Sequence, residues 1–250
     1  MPGDVDYERT GHGYSRTRRT DPRIAAQIHA ALGDARTVIN VGAGAGSYEP
    51  ADRWVLAVEP AATMRAQRPV GAAPAMRAFA EELPFDDGAF DAAMAILTVH
   101  QWSDRPRGIR ELLRVSRGPV VVLTFDMVAL ERFWLHEYGP ELTAGDGRRM
   151  PTIESLCEML GEGTRVEQVP IARDCADGFT EAFYARPEAF LDPAVRAGQS
   201  VWKFIEEDVH RRIVDSLARD LADGTWDARY GSLRSQDWYL GAMRLVVARG

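Results

Sequence analysis

The chain has 250 residues, with 30 basic against 37 acidic side chains for a formal charge of −7, and it is 46% apolar and 27% charged. These values exclude disorder as the default state, and the length can bury a large core in one or two domains without disulfide or metal staples. An acidic balance without a basic block argues against nucleic acid as a partner, since the footprint of such binding is a basic patch or stripe.

The opening stretch MPGDVDYERTGHGYSRTRR carries no apolar signal-like segment, and no later run approaches the roughly eighteen apolar residues of a membrane span. The expectation is a cytoplasmic protein with no membrane partner. Cys157 and Cys175 stand outside any CxxC or Cys/His pattern, so reduced thiols and no metal site are expected. Asp21-Pro22 followed by RIAAQIHAAL and Gly33 predicts the first helix, with Asp as N-cap, Pro in the first turn and Gly past the end.

TVINV predicts a buried first strand, because it is short, mostly β-branched and followed by glycines. WVLAVEP, a weaker stretch around Ala75 to Phe79, FDAAMAIL and PVVVLTF follow as further strands at βα spacing. Between the last two, SDRPRGIRELLRVSRG predicts a helix with Ile109, Leu112, Leu113 and Ser116 on one face and Gly118 at its end. This alternation implies βαβ units around a parallel sheet. Beyond Phe125 come an aromatic stretch (Phe133, Trp134, Tyr138), a helix at TIESLCEML and a sixth strand, RVEQVPI. Residues 174–236 read as a helical cap, too long for a connection, and DWYLGAMRLVVAR closes the chain as the last strand. The expected organisation is therefore 1–33 as N-terminal lid and first helix, 34–173 as core, 174–236 as cap and 237–250 as last core strand.

The strongest local signal is VINVGAGAGSYEP, a strand running into Gly42, Gly44 and Gly46. Glycines permit a tight turn and let a ligand approach the backbone, whose free N–H groups face it at the next helix N-terminus. Glu59 ends the next strand, where a carboxylate can accept hydrogen bonds from both hydroxyls of a ribose. Together they predict a nucleoside site at the carboxyl ends of the first two strands. A dinucleotide-dependent oxidoreductase is the sharp rival, although its fingerprint wants Gly or Ala where this chain has Ser47.

Over about residues 37 to 125 the sequence resembles the class I S-adenosylmethionine-dependent methyltransferases, in particular the small-molecule branch of the ubiquinone and menaquinone biosynthesis type. VGAGAG is similar to that family's first motif, Glu59 to its ribose-binding acid, AEELPFDDGAFDAAMAILTVHQWSD to its adenine-side loop and fourth strand, and RELLRVSRGPVVVLTF to the helix and fifth strand that follow. The resemblance implies an α/β fold: a Rossmann-like seven-stranded mixed sheet with helices on both faces, a reversed last strand and a helical cap inserted before it. It also implies S-adenosylmethionine as cofactor, S-adenosylhomocysteine as product, no metal, a small-molecule acceptor, and a monomer or homodimer. Cofactor-binding residues implied by it are Tyr14, Arg19, Asn40, Gly42, Ala43, Gly44, Gly46, Glu59, Pro60, Met64, Ala80, Glu81, Leu97, Thr98 and His100. Asn40 stands where the family often has an acid, and Phe79 where many members have an acid for the adenine amino group, which leaves adenine to packing and the backbone near Ala80 and Glu81.

His100 is the base candidate, following the fourth strand at the carboxyl edge where open α/β sheets bind ligands, or else a loop histidine packed with Trp102. Asp126 ends the fifth strand as either an acceptor-site acid or a helix cap. Trp102, Trp134, His136 and Tyr184 join His100 and Asp126 as expected acceptor-pocket residues, with core packing as the competing role for the aromatics. An arginine among Arg18 and Arg19 could pair with a methionine carboxylate, or belong to a solvated tail. A non-catalytic protein that binds S-adenosylmethionine to regulate a partner remains an alternative, since fold does not fix function.

Overall fold

In the computed structural model, residues 18–147 and 149–249 are described. The strands are β1 (Thr37–Val41), β2 (Trp54–Val58), β3 (Ala75–Met76), β4 (Ala92–Ile96), β5 (Val120–Phe125), β6 (Arg165–Gln168), β7 (Ile171–Ala172), β8 (Trp238–Tyr239) and β9 (Met243–Ala248). The helices are α1 (Pro22–Ala31), α2 (Ala62–Arg65), α3 (Arg105–Val115), α4 (Met127–Leu130), α5 (Leu135–Tyr138), α6 (Pro140–Gly147) and α7 (Ile153–Leu160), then α8 (Pro193–Ala197), α9 (Glu207–Ala222) and α10 (Thr225–Tyr230). Among the described residues no helix is long and apolar enough to cross a membrane.

Seven strands form one sheet in the order β3-β2-β1-β4-β5-β9-β6, parallel from β3 to β5, with β9 antiparallel to both its neighbours. This is the mixed sheet with a reversed last strand that the family resemblance implies. The chain winds outward from β1 to β3, then restarts at β4 on the other side, so a crevice opens at the carboxyl ends of β1 and β4. Asp91 holds the opposite ends of these strands together, its carboxylate accepting from the N–H groups of Arg36 and Thr37 at 2.9 and 2.8 Å.

Side chains alternate across the sheet with the period of a strand. Val38, Val121, Leu123 and Leu245 face α1 and the inserted segment, whereas Ile39, Val122 and Val246 face α3 and α7. Asp21 caps α1 by accepting from Arg23 N–H at 2.9 Å, and Ile24 and Ile28 seat the helix. Asp104 caps α3 in the same way through Arg107 N–H, and the face that α3 buries is Ile109, Leu112 and Val115. Complete burial of such side chains contributes about 1.5–3 kcal/mol each.

Two predicted strands divide. RVEQVPI becomes β6 and β7, because Pro170 has no N–H to continue the ladder. The last segment, expected as one core strand over 237–250, pairs first as β8 with β7, joining Ile171 to Tyr239, and enters the main sheet only at Met243. The break lies at Gly241, where a Cβ would stand 2.2 Å from Glu181 Oε1. The β7–β8 ladder is thus a stem through which the inserted segment leaves and returns. That segment carries 3-10 turns beside α8, α9 and α10, and its aromatic interior (Phe190, Trp202, Trp226) belongs to the same continuous core as Val121 and Leu245 of the sheet.

Glu181 sits at this junction, fully buried, both carboxylate oxygens accepting the Ala242 N–H at 2.9 Å. Burial pushes its pKa from 4.5 up to about 7, against the Ala242 N–H and the Arg244 charge, with Asp126 adding to the rise. The folded state therefore holds a proton that the unfolded chain releases, so this contribution to stability is complete below pH 4.5 and is lost as pH rises through about 7. Glu181→Gln removes the titration, and its stability relative to the parent protein should rise by about 2 to 3 kcal/mol between pH 5 and pH 8 in urea melts. A difference that does not change with pH would show that this carboxyl does not titrate in that window.

Candidate active site

β1 ends in the glycine loop, and Gly42 N–H and Ala43 N–H both donate to the Val58 carbonyl, at 2.8 and 3.0 Å, hanging the loop on the end of β2. Gly42 has φ +73°, and a Cβ there would lie 2.0 Å from Thr98 Oγ1, so only glycine lets the loop descend onto the residue that follows β4. Met64 of α2 supports the loop from below, its Cε 3.3 Å from where a Gly44 Cβ would be.

Glu59 follows β2 and is 7% exposed. Its Oε2 accepts from Gly44 N–H and its Oε1 from Ala61 N–H, both at 2.8 Å. Burial raises its pKa, and these two N–H groups oppose the rise. A carboxylate oxygen has two acceptor positions, so each keeps one for a ligand hydroxyl. Across the loop, buried Asn40 donates Nδ2 to Glu49 Oε1 at 3.0 Å, while its Oδ1 has no partner. Glu49 in turn pairs with Arg68 Nη2 at 2.6 Å, both side chains under a tenth exposed. Amide orientation follows from this chain of bonds, because the carboxylate accepts only from the NH₂ end and leaves the carbonyl end free.

On the far side of the crevice, Leu97 after β4 takes φ 53°, rare for a branched side chain, and donates its N–H to the Leu123 carbonyl. Buried Thr98 and partly buried His100 follow, His100 within the turn Val99–Gln101. The side-chain amide of Gln101 is buried with neither end partnered. Ala80 is buried and Pro60 half-buried, while Phe79 is 43% exposed. The Glu81 carboxylate is turned to the start of α3, its Oε1 accepting from Ser103 N–H at 2.7 Å and Asp104 N–H at 3.1 Å.

The expected acceptor residues do not converge. Trp102 packs on Gly108 of α3, on the sheet face opposite the inserted segment. Trp134 and Tyr184 do meet, through Trp134 Nε1 and the Tyr184 carbonyl at 3.0 Å, yet both are buried in the core, Trp134 reaching from the segment after β5 against Phe190 and Trp226 of the insertion, and Tyr184 Oη is spent on the Gln236 carbonyl. His136 bonds Thr143 Oγ1 at 2.6 Å between α5 and α6. Asp126 caps α4 and pairs with Arg244 at 2.9 Å, at the carboxyl edge. Tyr184 belongs to an insertion whose aromatics fill its own interior, whereas Trp102, His136 and Asp126 are held by partners outside it.

Tyr14 lies outside the described residues. The Arg19 side chain is exposed, and its N–H donates to Asp177 Oδ1. Arg18 is no solvated tail: its Nε donates to Asp177 Oδ1 at 2.8 Å. Tyr48, buried at the loop exit with φ 66°, donates Oη to Asp177 Oδ2 at 2.7 Å. One buried carboxylate of the insertion thereby ties the segment before α1 to the glycine loop. Sequence reasoning missed Asp177, Tyr48, Glu49 and Arg68. The only signal was Glu49's place just beyond the glycines.

Comparisons with known proteins point to one family. A family model described as a methyltransferase domain matches residues 39–122. A crystal structure from Anabaena variabilis, assigned as a methyltransferase of an antibiotic biosynthesis pathway, is 30% identical with a TM-score of 0.86, covering 94% of this chain and 99% of that one. The mitochondrial 2-methoxy-6-polyprenyl-1,4-benzoquinol methylase of Leishmania donovani is 46% identical over 50 residues, 19% of this chain and 17% of that protein. The ubiquinone/menaquinone biosynthesis C-methyltransferase of Citrifermentans bemidjiense is 42% identical over 55 residues, 21% of this chain and 23% of that protein. The match thus spans less than a quarter of these two curated relatives.

The contact under Gly42 is open to a direct check. Gly42→Ala should cost at least about 1 kcal/mol more stability in urea melts than Gly71→Ala. Both positions have positive φ, but at Gly71 nothing lies within 4 Å of the added Cβ. Equal costs would remove the Thr98 contact as the reason for glycine.

Proposed function

The chain belongs to the class I S-adenosylmethionine-dependent methyltransferases, and we propose that it moves the cofactor's methyl group to a small-molecule acceptor, releasing S-adenosylhomocysteine. The observation that carries this reading is the pair of acceptors flanking the glycine loop: the unpartnered buried Oδ1 of Asn40 and the spare lone pairs of Glu59. A cofactor with an ammonium at one end and a ribose diol in its middle fits both, and the Cβ-free loop fits its passage between them. S-adenosylmethionine supplies a methyl on a cationic sulfur, a leaving group that needs no further activation.

The residues do the rest. Glu59 accepts from the ribose hydroxyls, Asn40 Oδ1 from the methionine ammonium, and Gly42 to Gly46 bring the backbone close, with Ala43 and Met64 forming the floor. Ala80, Pro60 and the exposed ring of Phe79 support the adenine by packing, with the backbone at Glu81. Leu97 and Thr98 form the opposite wall. Orientation of acceptor and donor in one crevice can supply several kcal/mol, of order 7–11 in favourable cases. His100, beyond the end of β4, is positioned to receive a proton where the acceptor has one to lose, worth roughly a hundred- to ten-thousandfold. Asp177 helps exclude water by holding Arg18 and Tyr48 together across the loop exit. The assignment of the Anabaena relative to antibiotic biosynthesis supports a small molecule over a macromolecule as acceptor. Both cysteines are free thiols, which supports a reducing compartment such as the cytoplasm.

Calorimetric titration should show binding of S-adenosylmethionine and S-adenosylhomocysteine and none of NADH. Glu59→Ala should weaken both by roughly tenfold to a hundredfold, the loss of hydrogen bonds to a charged group. Absence of binding in the parent protein would overturn the reading, and unchanged affinity in the variant would overturn the ribose assignment.

A further inference from the structure

Arg196, at the end of α8 in the insertion, is 8% exposed and forms no ion pair with a carboxylate among the described residues. Its Nε donates to His210 Nε2 at 3.2 Å, its Nη1 donates to the Phe190 carbonyl, and the Trp202 ring lies 5.9 Å from its Cζ. One neutral carbonyl, an imidazole and a π face satisfy some of its N–H groups but supply no negative charge. Buried cations are ordinarily paired, because desolvation of an unpaired one is costly.

Two more buried donors follow in the turn after α8. Gln199 and Trp202, three and six positions further on, are 4% and 5% exposed, and Gln199 Nε2 and Trp202 Nε1 have no partner. The carbonyl end of the Gln199 amide is satisfied by the Thr180 hydroxyl at 2.9 Å, which fixes its NH₂ end as the orphan. Both orphaned groups are therefore donors, carried by the turn that follows Arg196. A structural polar cluster would mix donors with acceptors; this one is complementary to an anionic oxygen group.

Its position suits an acceptor. Thr180 follows Phe179, whose ring is 5.8 Å from that of Phe125 at the end of β5, and precedes Glu181, which holds Ala242 at the same edge of the sheet. Gln199 is thus linked through Thr180 to the carboxyl edge where the proposed methyl transfer takes place.

We infer that Arg196, Gln199 and Trp202 form an anion-recognising subsite of the insertion, and that the small-molecule acceptor carries a carboxylate that they bind. Only the word acceptor rests on the methyltransferase reading; the subsite itself does not. The carboxylate would take the N–H groups that Arg196 has left over, together with Gln199 Nε2 and Trp202 Nε1, and leave the reacting end of the molecule toward β4 and β5.

The test is calorimetric titration with benzoate and with neutral benzamide, in the presence of saturating S-adenosylhomocysteine. Benzoate should bind and benzamide should bind at least roughly tenfold more weakly, as expected for loss of a charged hydrogen-bonded pair. Arg196→Met and Trp202→Phe should each weaken benzoate by about tenfold, the second keeping an aromatic ring there while removing the indole N–H with its five-membered ring. Without benzoate, Arg196→Met should melt no lower than the parent, because it removes an unpaired buried charge; a lower melt would assign Arg196 to the fold, and Trp202→Phe then decides. Benzoate binding no better than benzamide, or equal benzoate affinity in Trp202→Phe, overturns the subsite. S-adenosylhomocysteine titrated alone separates the two readings: its binding without benzoate selectivity sinks only the subsite, and its failure to bind sinks the methyltransferase reading.

Discussion

The site depends on how closely two loops approach. Gly42 descends until its α-carbon meets the Thr98 side chain, while its N–H and that of Ala43 share the Val58 carbonyl. The ends of β1, β2 and β4 are thereby drawn into one crevice, at the point where the sheet reverses its winding. A single methyl group on that α-carbon would push the loop off Thr98. Glu59 reaches Gly44 N–H only because the loop lies where it does.

Around that crevice the polar groups are arranged by buried carboxylates. Glu49 orients the Asn40 amide and is itself paired with Arg68, so an amide takes a place where the family often has an acid, and the charge is moved one side chain away. Buried ion pairs contribute little net stability, since desolvation offsets their attraction. Their effect here is directional. Asp177 plays the corresponding part between segments, accepting from Arg18, Arg19, Tyr48 and Gly178 at once. Removing such a hub would leave several donors buried without acceptors, and each unsatisfied group costs about 1–3 kcal/mol.

The insertion is held to the sheet by more than a stem. Its aromatic interior is continuous with the residues that β5 and β9 present on that face, so it forms a layer of the core. What distinguishes it from ordinary core is the polarity it contains. Glu181 is satisfied by one N–H, and the Arg196 cluster is short of acceptors. Interiors seldom keep such groups without a use for them.

The sequence by itself determined the sheet, the loop and Glu59. Buried strands, helix caps and glycine turns are written in near neighbours: Asp21 before Pro22, β-branched residues in TVINV, three glycines at alternate positions. The surroundings of the expected acceptor residues are not legible locally, for the opposite reason. Nothing local in Trp134, Tyr184 or Trp102 says whether a large ring packs inward or faces a cavity, or on which side of the sheet it falls. Only the tertiary structure decided that Trp134 and Tyr184 are buried in the core, that Asp177 meets Tyr48 across 129 positions, and that Arg196 finds no carboxylate among the described residues. Pairing and burial depend on which distant segments share a volume, and a chain's local pattern carries no record of that.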